Sequence, residues 1–519
     1  MPPNKRSTVN DGWRNRMETF ALTHFGTLWQ VVQSIPWLRR RLNSVLINTA
    51  IYKTVTRPYP FTTRSNYTSW DSLTDRTFSS RHLPPSPPPE DLPTGDEVAN
   101  LFLRRGETVL CPKSTLLFAY FAQWFTDGFL RTDGTDPRKN NSNHEIDLTP
   151  LYGLTKDVTD IIRAHTGGRL ETQTINGEEY APYLCEDGSV KPRYKGLEEL
   201  SFNTLDALQK DQLFAMGGDR ANVQIGYVMF NTLFLREHNR VAGLLAKEYP
   251  SWDDERLFQT ARNIVLVTLI RIVIEEYINH ITPYYFQFLL DAAGFPNERW
   301  YRQNWMALEF TLVYRWHMLI PDDIVLAGKK LPVKDTMWNT SLITGRGLGP
   351  LFDDASRQPA GKVGLFNTGS FLRYIESRSI QMDRALQLRP YNEYRPACGF
   401  PPVTDFDQIS GDPMVQRELK RLYGHVDRID YYAGLFAEDV VPNAVLPPLI
   451  GALVAIDAFS QALTNPLLNP HIYNEETFSP LGLRIIEDTT RLSDILHRNL
   501  PPGSPEYFVS LTREDWRRT

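Results

Sequence analysis

Tyr314 and His317 stand three residues apart in Glu309-Phe310-Thr311-Leu312-Val313-Tyr314-Arg315-Trp316-His317, a run that continues through Met318, Leu319 and Ile320 to Pro321-Asp322. An imidazole nitrogen can ligate a metal, and a phenol one turn away can be oxidised. The run is made mostly of good helix formers, with Pro321 placed to stop it, so it predicts a helix. At 3.6 residues per turn, a spacing of three puts both side chains on one face. The same spacing equally describes a tyrosine–histidine pair satisfied inside an apolar core.

The elements that must position this run are mostly helical. Cys111 to Thr126 is apolar and aromatic, and Ile225 to Tyr249 carries Leu235-Arg236-Glu237-His238-Asn239-Arg240. Trp252-Asp253-Asp254-Glu255 opens a long helix reaching His280, with acidic residues where the helix dipole favours them. Arg271, Glu275 and Glu276 interrupt its apolar character, and no run of eighteen apolar residues occurs, so it reads as core. Thr132 to Lys195 is looser and rich in Gly, Asn and Asp; Gly345-Arg346-Gly347-Leu348-Gly349 follows no strand and reads as a turn. β-branched alternation is scarce and there is no internal repeat. The expectation is a mainly α fold, with a helical catalytic domain over 96–519. Before it come an extended Pro-rich linker over 58–95, with Leu83-Pro84-Pro85-Ser86-Pro87-Pro88-Pro89, and an N-terminal appendage over 1–57.

That appendage has its own chemistry. Trp13, Met17, Phe20, Phe25, Leu28, Trp29, Val32, Ile35, Trp37 and Leu38 come in short clusters broken at Gly26 and Pro36, punctuated by Arg14, Arg16, Arg39, Arg40 and Arg41. Over 1–57 nine Lys/Arg face two Asp/Glu, a local +7 in a chain of net charge -5. Short helices with bulky apolar faces and arginine flanks suit an in-plane membrane anchor. The alternative is a set of helices packed on the main body.

Composition narrows the classes. With 519 residues, 41% hydrophobic and 23% charged, the chain can build a large core unaided. Its acidic balance argues against a nucleic-acid partner. Cys111, Cys185 and Cys398 lie far apart and give no disulfide framework, and Met1 to Asn10 is polar with no apolar signal segment behind it. The expectation is an intracellular protein, not secreted, associated peripherally with a membrane. HExxH, P-loop and GxSxG motifs are absent, and the ten histidines include no i,i+4 pair suited to zinc. A single axial histidine is instead the pattern of haem.

Several blocks carry a family resemblance. They are Phe234-Leu235-Arg236-Glu237-His238-Asn239-Arg240-Val241, Arg256-Leu257-Phe258-Gln259-Thr260-Ala261-Arg262, Ile272-Val273-Ile274-Glu275-Glu276-Tyr277, the Tyr314/His317 run, Ser356-Arg357-Gln358-Pro359-Ala360-Gly361, and Tyr391-Asn392-Glu393-Tyr394-Arg395. In this order the chain resembles, from about Trp13 to Leu463, the cyclooxygenase (prostaglandin H synthase) branch of the animal haem peroxidase superfamily. The resemblance implies that family's helical peroxidase fold with a monotopic membrane-binding region, haem b, an unsaturated fatty acid and O2 as substrates, and a homodimer. The family's signal, small disulfide-rich module and retention tail are missing, which suggests a bacterial version.

Carried over residue by residue, the resemblance makes His317 the haem ligand with Tyr432 as its supporting partner, and Tyr314 the radical that removes a hydrogen from the acid. It implies a channel lined by Tyr277, Ile278, Tyr284, Phe310, Trp316, Leu453, Phe459 and Ser460, mainly bulky and apolar as an acyl chain requires. Ser460 matches the serine acetylated in the mammalian enzymes.

The departures are as informative. The family's channel-mouth arginine aligns with Lys53, a point charge without the bidentate fork; Arg57 is the alternative, and either cation could instead meet lipid head groups. Val454 replaces the accompanying glutamate, implying a purely cationic site. On the distal side the family's Gln-x-x-x-His reads Gln123-Trp124-Phe125-Thr126-Asp127, which puts an acid where a near-neutral proton shuttle belongs. Arg220, in Gly217-Gly218-Asp219-Arg220, lies sixteen residues before Arg236, the spacing of the peroxidase branch's catalytic arginine; it could instead hold a haem propionate. A calcium loop is suggested by Asn143-His144-Glu145-Ile146-Asp147-Leu148-Thr149, with Asp147 and Thr149 as oxygen ligands, but Gly128 stands where a further aspartate belongs and argues against the metal.

The leading expectation is a haem-dependent fatty-acid dioxygenase working through a tyrosyl radical. The alternatives are a peroxygenase or hydroperoxide isomerase acting through Asp127 and Arg220, and a catalytically silent haem- or lipid-binding protein.

Overall fold

The computed structural model describes residues 13–54, 57 and 59–519, with side chains from residue 17 onward. The polar N-terminal stretch, the Trp13, Arg14 and Arg16 side chains of the anchor reading, and the first linker residue, Pro58, therefore lie outside the described residues.

The appendage folds as three helices, α1 (Trp13–Thr23), α2 (Gly26–Gln33) and α3 (Pro36–Ile51). Pro36 sits in the first turn of α3, where its missing N–H costs nothing. Leu22, Ile47 and Ile51 point into the same apolar core that fills the rest of the chain, so the three helices are docked rather than free. Their other side is different: Met17, Phe20, Phe25, Leu28, Val31, Trp37 and Val45 are all more than half exposed.

The linker is only partly extended. Trp70–Thr74 is a short helix opened by a Ser69 capping box, and Phe61–Thr62 pairs antiparallel with Ser80–Arg81.

The core is helical, built around α4 (Leu116–Thr126), α5 (Ile225–Glu248) and α6 (Asp254–Ile272), which pack on one another and on smaller helices. α6 is capped by Asp253, carries Asp254 and Glu255 in its first turn, and runs on through a π-helical segment, Val273–Ile278, to Asn279–Ile281. The whole stretch is long and apolar enough to cross a membrane, but it is largely buried in the protein and is a core helix. Strands among the described residues form five two-stranded sheets. One of them pairs Leu110–Thr115 with Pro359–Gly361, so the start of the apolar Cys111 stretch is strand and only Leu116 onward is helix. The glycine-rich stretch at 345–349 is the joint between helices Ser341–Arg346 and Leu348–Arg357, turning at Gly347 (φ 88°), rather than a free turn.

The predicted helix through Tyr314 and His317 is broken. α7 (Leu308–Val313) ends before Tyr314, and His317–Leu319 is a separate 3₁₀ turn. The reason is local: the Trp316 indole donates to Val313 O at 2.6 Å, taking a carbonyl that a continuing helix would use, and Trp316 adopts ψ 52°. Half-buried Arg315 fixes the break by reaching Ser379 Oγ at 3.3 Å on α8 (Arg373–Ala385). Tyr314 and His317 therefore do not share a helical face; they flank a kink. Two further helices complete the frame, α9 (Tyr431–Ala437) and α10 (Pro448–Leu463).

Candidate active site

His317 lies against α8. Its Nδ1 is 3.1 Å from Glu376 Oε1, and the oxygen lies off the axis of the ring N–H, so the contact is a close approach rather than an aligned hydrogen bond. Glu376 is fully buried. Thr368 Oγ1 donates to its Oε1 at 2.8 Å and the Tyr432 hydroxyl to its Oε2 at 2.7 Å. Tyr432 thus supports His317 through Glu376, a residue that sequence reasoning missed. Among the described residues Nε2 of His317 makes no hydrogen bond, and the imidazole remains 19% exposed. A buried carboxylate behind Nδ1 and a free, accessible Nε2 are what an axial iron ligand needs. The residues present fit haem.

α4 supplies the facing group. Asp127 caps its C-terminus and lies 3.1 Å from Arg220 Nη1. The Asp127 charge, acting against burial, holds the Arg220 guanidinium well above its usual range. Gln123, on the same helix, is exposed and accepts from Gln224 at 3.1 Å. Asp127 and Arg220 therefore do come together, while the Gln123 side chain, one turn earlier on α4, is bonded to Gln224 instead.

Tyr314 is partly buried in aromatic surroundings. Phe310 meets its ring edge-on at 4.8 Å and Trp316 stacks on it at 4.6 Å. Tyr277, carried on the π-helical segment, interacts electrostatically with Tyr314, and neither hydroxyl has an aligned hydrogen-bond partner. Burial raises the Tyr314 pKa, so the ring is a neutral phenol.

An apolar cavity of about 150 Å³ opens between α1, α3 and α10. Lys53 lines it together with Leu22, Ile278, Tyr284, Phe288 and Phe459. Of the predicted channel residues, Ile278, Tyr284 and Phe459 form its wall, while Tyr277, Phe310 and Trp316 gather at Tyr314; Leu453 and Ser460 are buried on α10 outside it. Lys53 is 24% exposed and 3.6 Å from Glu18, which also lines the cavity.

Arg57 is elsewhere. It is buried, 3.0 Å from Asp457 Oδ1, and it also donates to the Ser460 hydroxyl. Tyr59 donates to the same carboxylate and His82 Nε2 lies 2.9 Å from Oδ2. The expectation of a purely cationic site after Val454 is therefore overturned at Arg57: the acid has moved one helical turn along α10, to Asp457. Ser460 does not present a free hydroxyl to the cavity, because Arg57 holds it and it donates to Ile456 O at 2.7 Å. His82 and Tyr59 left no sequence signal; Asp457 could have been found by looking one turn past Val454.

In the loop read for calcium, Asp147 is satisfied internally by Thr149 and by Asn143 at 2.8 Å. Glu145, in the same loop, has both carboxylate oxygens buried without a partner, and burial pushes its pKa up to about 7.

The chain belongs to the animal haem peroxidase family, whose model matches residues 129–506, and it is a haem-dependent oxidoreductase. It is 31% identical over 514 residues to prostaglandin G/H synthase 2 of Equus caballus, covering 96% of this chain and 82% of that one. With prostaglandin G/H synthase 1 of Mus musculus it shares 31% over 473 residues, 88% and 76% of the two chains. Among solved structures the fold is similar to a fatty acid alpha-dioxygenase of Oryza sativa (TM-score 0.69, 17% identity, 98% of this chain and 100% of that chain). It is also similar to peroxidase A of Dictyostelium discoideum (TM-score 0.67, 20% identity, 83% and 94%). The mainly helical peroxidase/cyclooxygenase-like fold expected from the sequence is the one observed.

Proposed function

We propose that this protein is a fatty-acid dioxygenase in which Tyr314 acts as a radical. The observation that carries the reading is the narrow apolar cavity with a cation at its mouth, whose inner wall, Ile278, adjoins the Tyr277 that faces Tyr314. Its lining is mainly apolar with one lysine among it, which suits an acyl chain that ends in a carboxylate. His317 would hold the haem, which when bound would supply an oxidising equivalent drawn from a peroxide. Tyr314 loses one electron and one proton. The phenoxyl then takes a hydrogen atom from an unsaturated acid, O2 adds to the carbon radical, and the peroxyl radical recovers the hydrogen atom from Tyr314, giving a hydroperoxide and restoring the radical. Phe310 and Trp316 keep water from the ring. Lys53 pairs with the substrate carboxylate.

Tyr314→Phe should bind haem normally and lose lipid oxygenation; unchanged oxygen uptake with a polyunsaturated acid would exclude the reading. The exposed apolar side chains of α1–α3, with Arg40 and Arg41 exposed beside them, support docking of the cavity mouth on a membrane surface. Binding to lipid vesicles that survives Phe20→Ser/Trp37→Ser would count against this.

The Asp127–Arg220 ion pair favours a second reading, a peroxygenase or hydroperoxide isomerase in which the acid and the arginine work on a bound peroxide and Tyr314 is a bystander. Asp127→Ala separates the two, since it would cripple this chemistry first.

A further inference from the structure

We infer that Glu376 is the positioning residue for the haem ligand, fixing the His317 imidazole and making it a stronger electron donor to iron. The inference rests on the reading of His317 as axial ligand and goes beyond it in assigning what sets that ligand's orientation and basicity.

The geometry is that of a carboxylate placed to receive a proton donor. Glu376 is fully buried, and the three groups around its oxygens can all donate: the Thr368 hydroxyl at 2.8 Å, the Tyr432 hydroxyl at 2.7 Å and the His317 Nδ1 edge at 3.1 Å. A carboxylate only accepts, so this set selects the tautomer with the proton on Nδ1 and leaves the Nε2 lone pair for a metal. Of the three donors, Nδ1 alone lacks an aligned acceptor. Each end of the arrangement is anchored independently. Glu376 rides on α8, Tyr432 is held to α8 by its backbone N–H donating to Asp383 at 2.8 Å, and Thr368 N donates to Phe102 O at 2.8 Å. A charge-assisted hydrogen bond from Nδ1 to that carboxylate would push electron density onto the imidazole, which stabilises oxidised iron over reduced.

Two near-isosteric variants give opposite signs. Glu376→Gln removes the charge and weakens the acceptor, so the Fe(III)/Fe(II) midpoint potential should rise and the ferrous iron–histidine stretching band should move to lower wavenumber, with haem still bound one to one. Thr368→Val removes a competing donor from the carboxylate, which strengthens its hold on His317; the potential should fall and the band should move up. A residue that only props the fold would move both variants the same way or neither. Spectroelectrochemistry and resonance Raman on the haem-loaded full chain read both quantities. Wild-type values in either variant, or shifts of the same sign in both, overturn the inference, and Thr368→Val alone decides it if Glu376→Gln does not fold. Absence of any iron–histidine band in the wild type, or its survival in His317→Ala, would instead overturn the haem-ligand reading and this inference with it.

Discussion

The Arg57 guanidinium lies 3.0 Å from Asp457 Oδ1, with the two side chains 3% and 0% exposed. Tyr59 and His82 complete the shell around that carboxylate, so the linker between the N-terminal helices and the catalytic core is fastened to α10 at its start and again at His82. Removing one partner leaves the others buried and uncompensated. Asp457→Ala should therefore cost about 3–5 kcal/mol, seen as a lower urea midpoint. The pair Arg57→Met with Asp457→Leu should recover much of that loss, because it replaces both charges with apolar groups of similar size.

The same cluster gives a pH signature. Burial pushes the His82 pKa down, but Asp457's charge and hydrogen bond together outweigh it and the net shift is upward. Burial likewise raises Asp457, yet His82 and Arg57 bring it below the usual range. A raised histidine pKa contributes stability that is whole below about 6.5, its unfolded value, and fades as pH climbs through the folded one. The lowered Asp457 contributes above about 3.9 and fades as pH falls. Wild type should thus exceed His82→Gln in Tm most clearly near pH 6, and the gap should narrow by pH 9. A gap that widens toward pH 9 would contradict the assignment.

How much of this was legible beforehand depends on where the information lies in the chain. α5 and α6 declare themselves by periodicity, capping residues and N-terminal acids, all local features. Tyr314 and His317 were singled out by type, but the helix expected to unite them fails because a local side-chain bond, the Trp316 indole on Val313 O, overrides good helix formers. Asp127 and Arg220 meet because α4 and the segment before α5 keep the family's order, which residue blocks can convey. Glu376 and His82 were invisible because nothing near them in sequence marks them. Each owes its place to a partner 50 or more residues away.

Gly361 is a case where the absence of a side chain positions a functional one. A Cβ there would lie 2.0 Å from Met318 O, in the turn that begins at His317. No contact so short is tolerable, and the obstacle is backbone, so Gly361→Ala must displace the turn. Haem affinity should fall about tenfold, the scale of other perturbations behind a metal ligand, while the global fold persists. Gly243→Ala, with open space around it, is the control and should leave haem titrations unchanged.

Lys53 is the cavity's cation and stays partly in water, so its pairing with a carboxylate is worth about 1 kcal/mol at most. Lys53→Met should raise KM for a free fatty acid by about fivefold with little change in kcat. The methyl ester of the same acid, which has no charge to pair, should show no such penalty. Equal loss with acid and ester would place the carboxylate elsewhere.

On the proposed reading, Asp127 stands where peroxide is handled. Its carboxylate is paired with Arg220, whereas an imidazole, with a reference pKa near 6.5, can both take and return a proton near neutral pH. Asp127→His should therefore raise peroxidase turnover with a small phenolic donor, by about 100-fold if full general acid–base assistance is gained. Asp127→Asn, which keeps the shape and cannot shuttle, should not. Oxygen uptake with a fatty acid should keep its dependence on Tyr314 in both variants, because Asp127 lies on α4 and Tyr314 beyond the end of α7. If Asp127→His instead lowers peroxide turnover, the acid–arginine pair is itself the working device, and the isomerase or peroxygenase reading gains over the dioxygenase one.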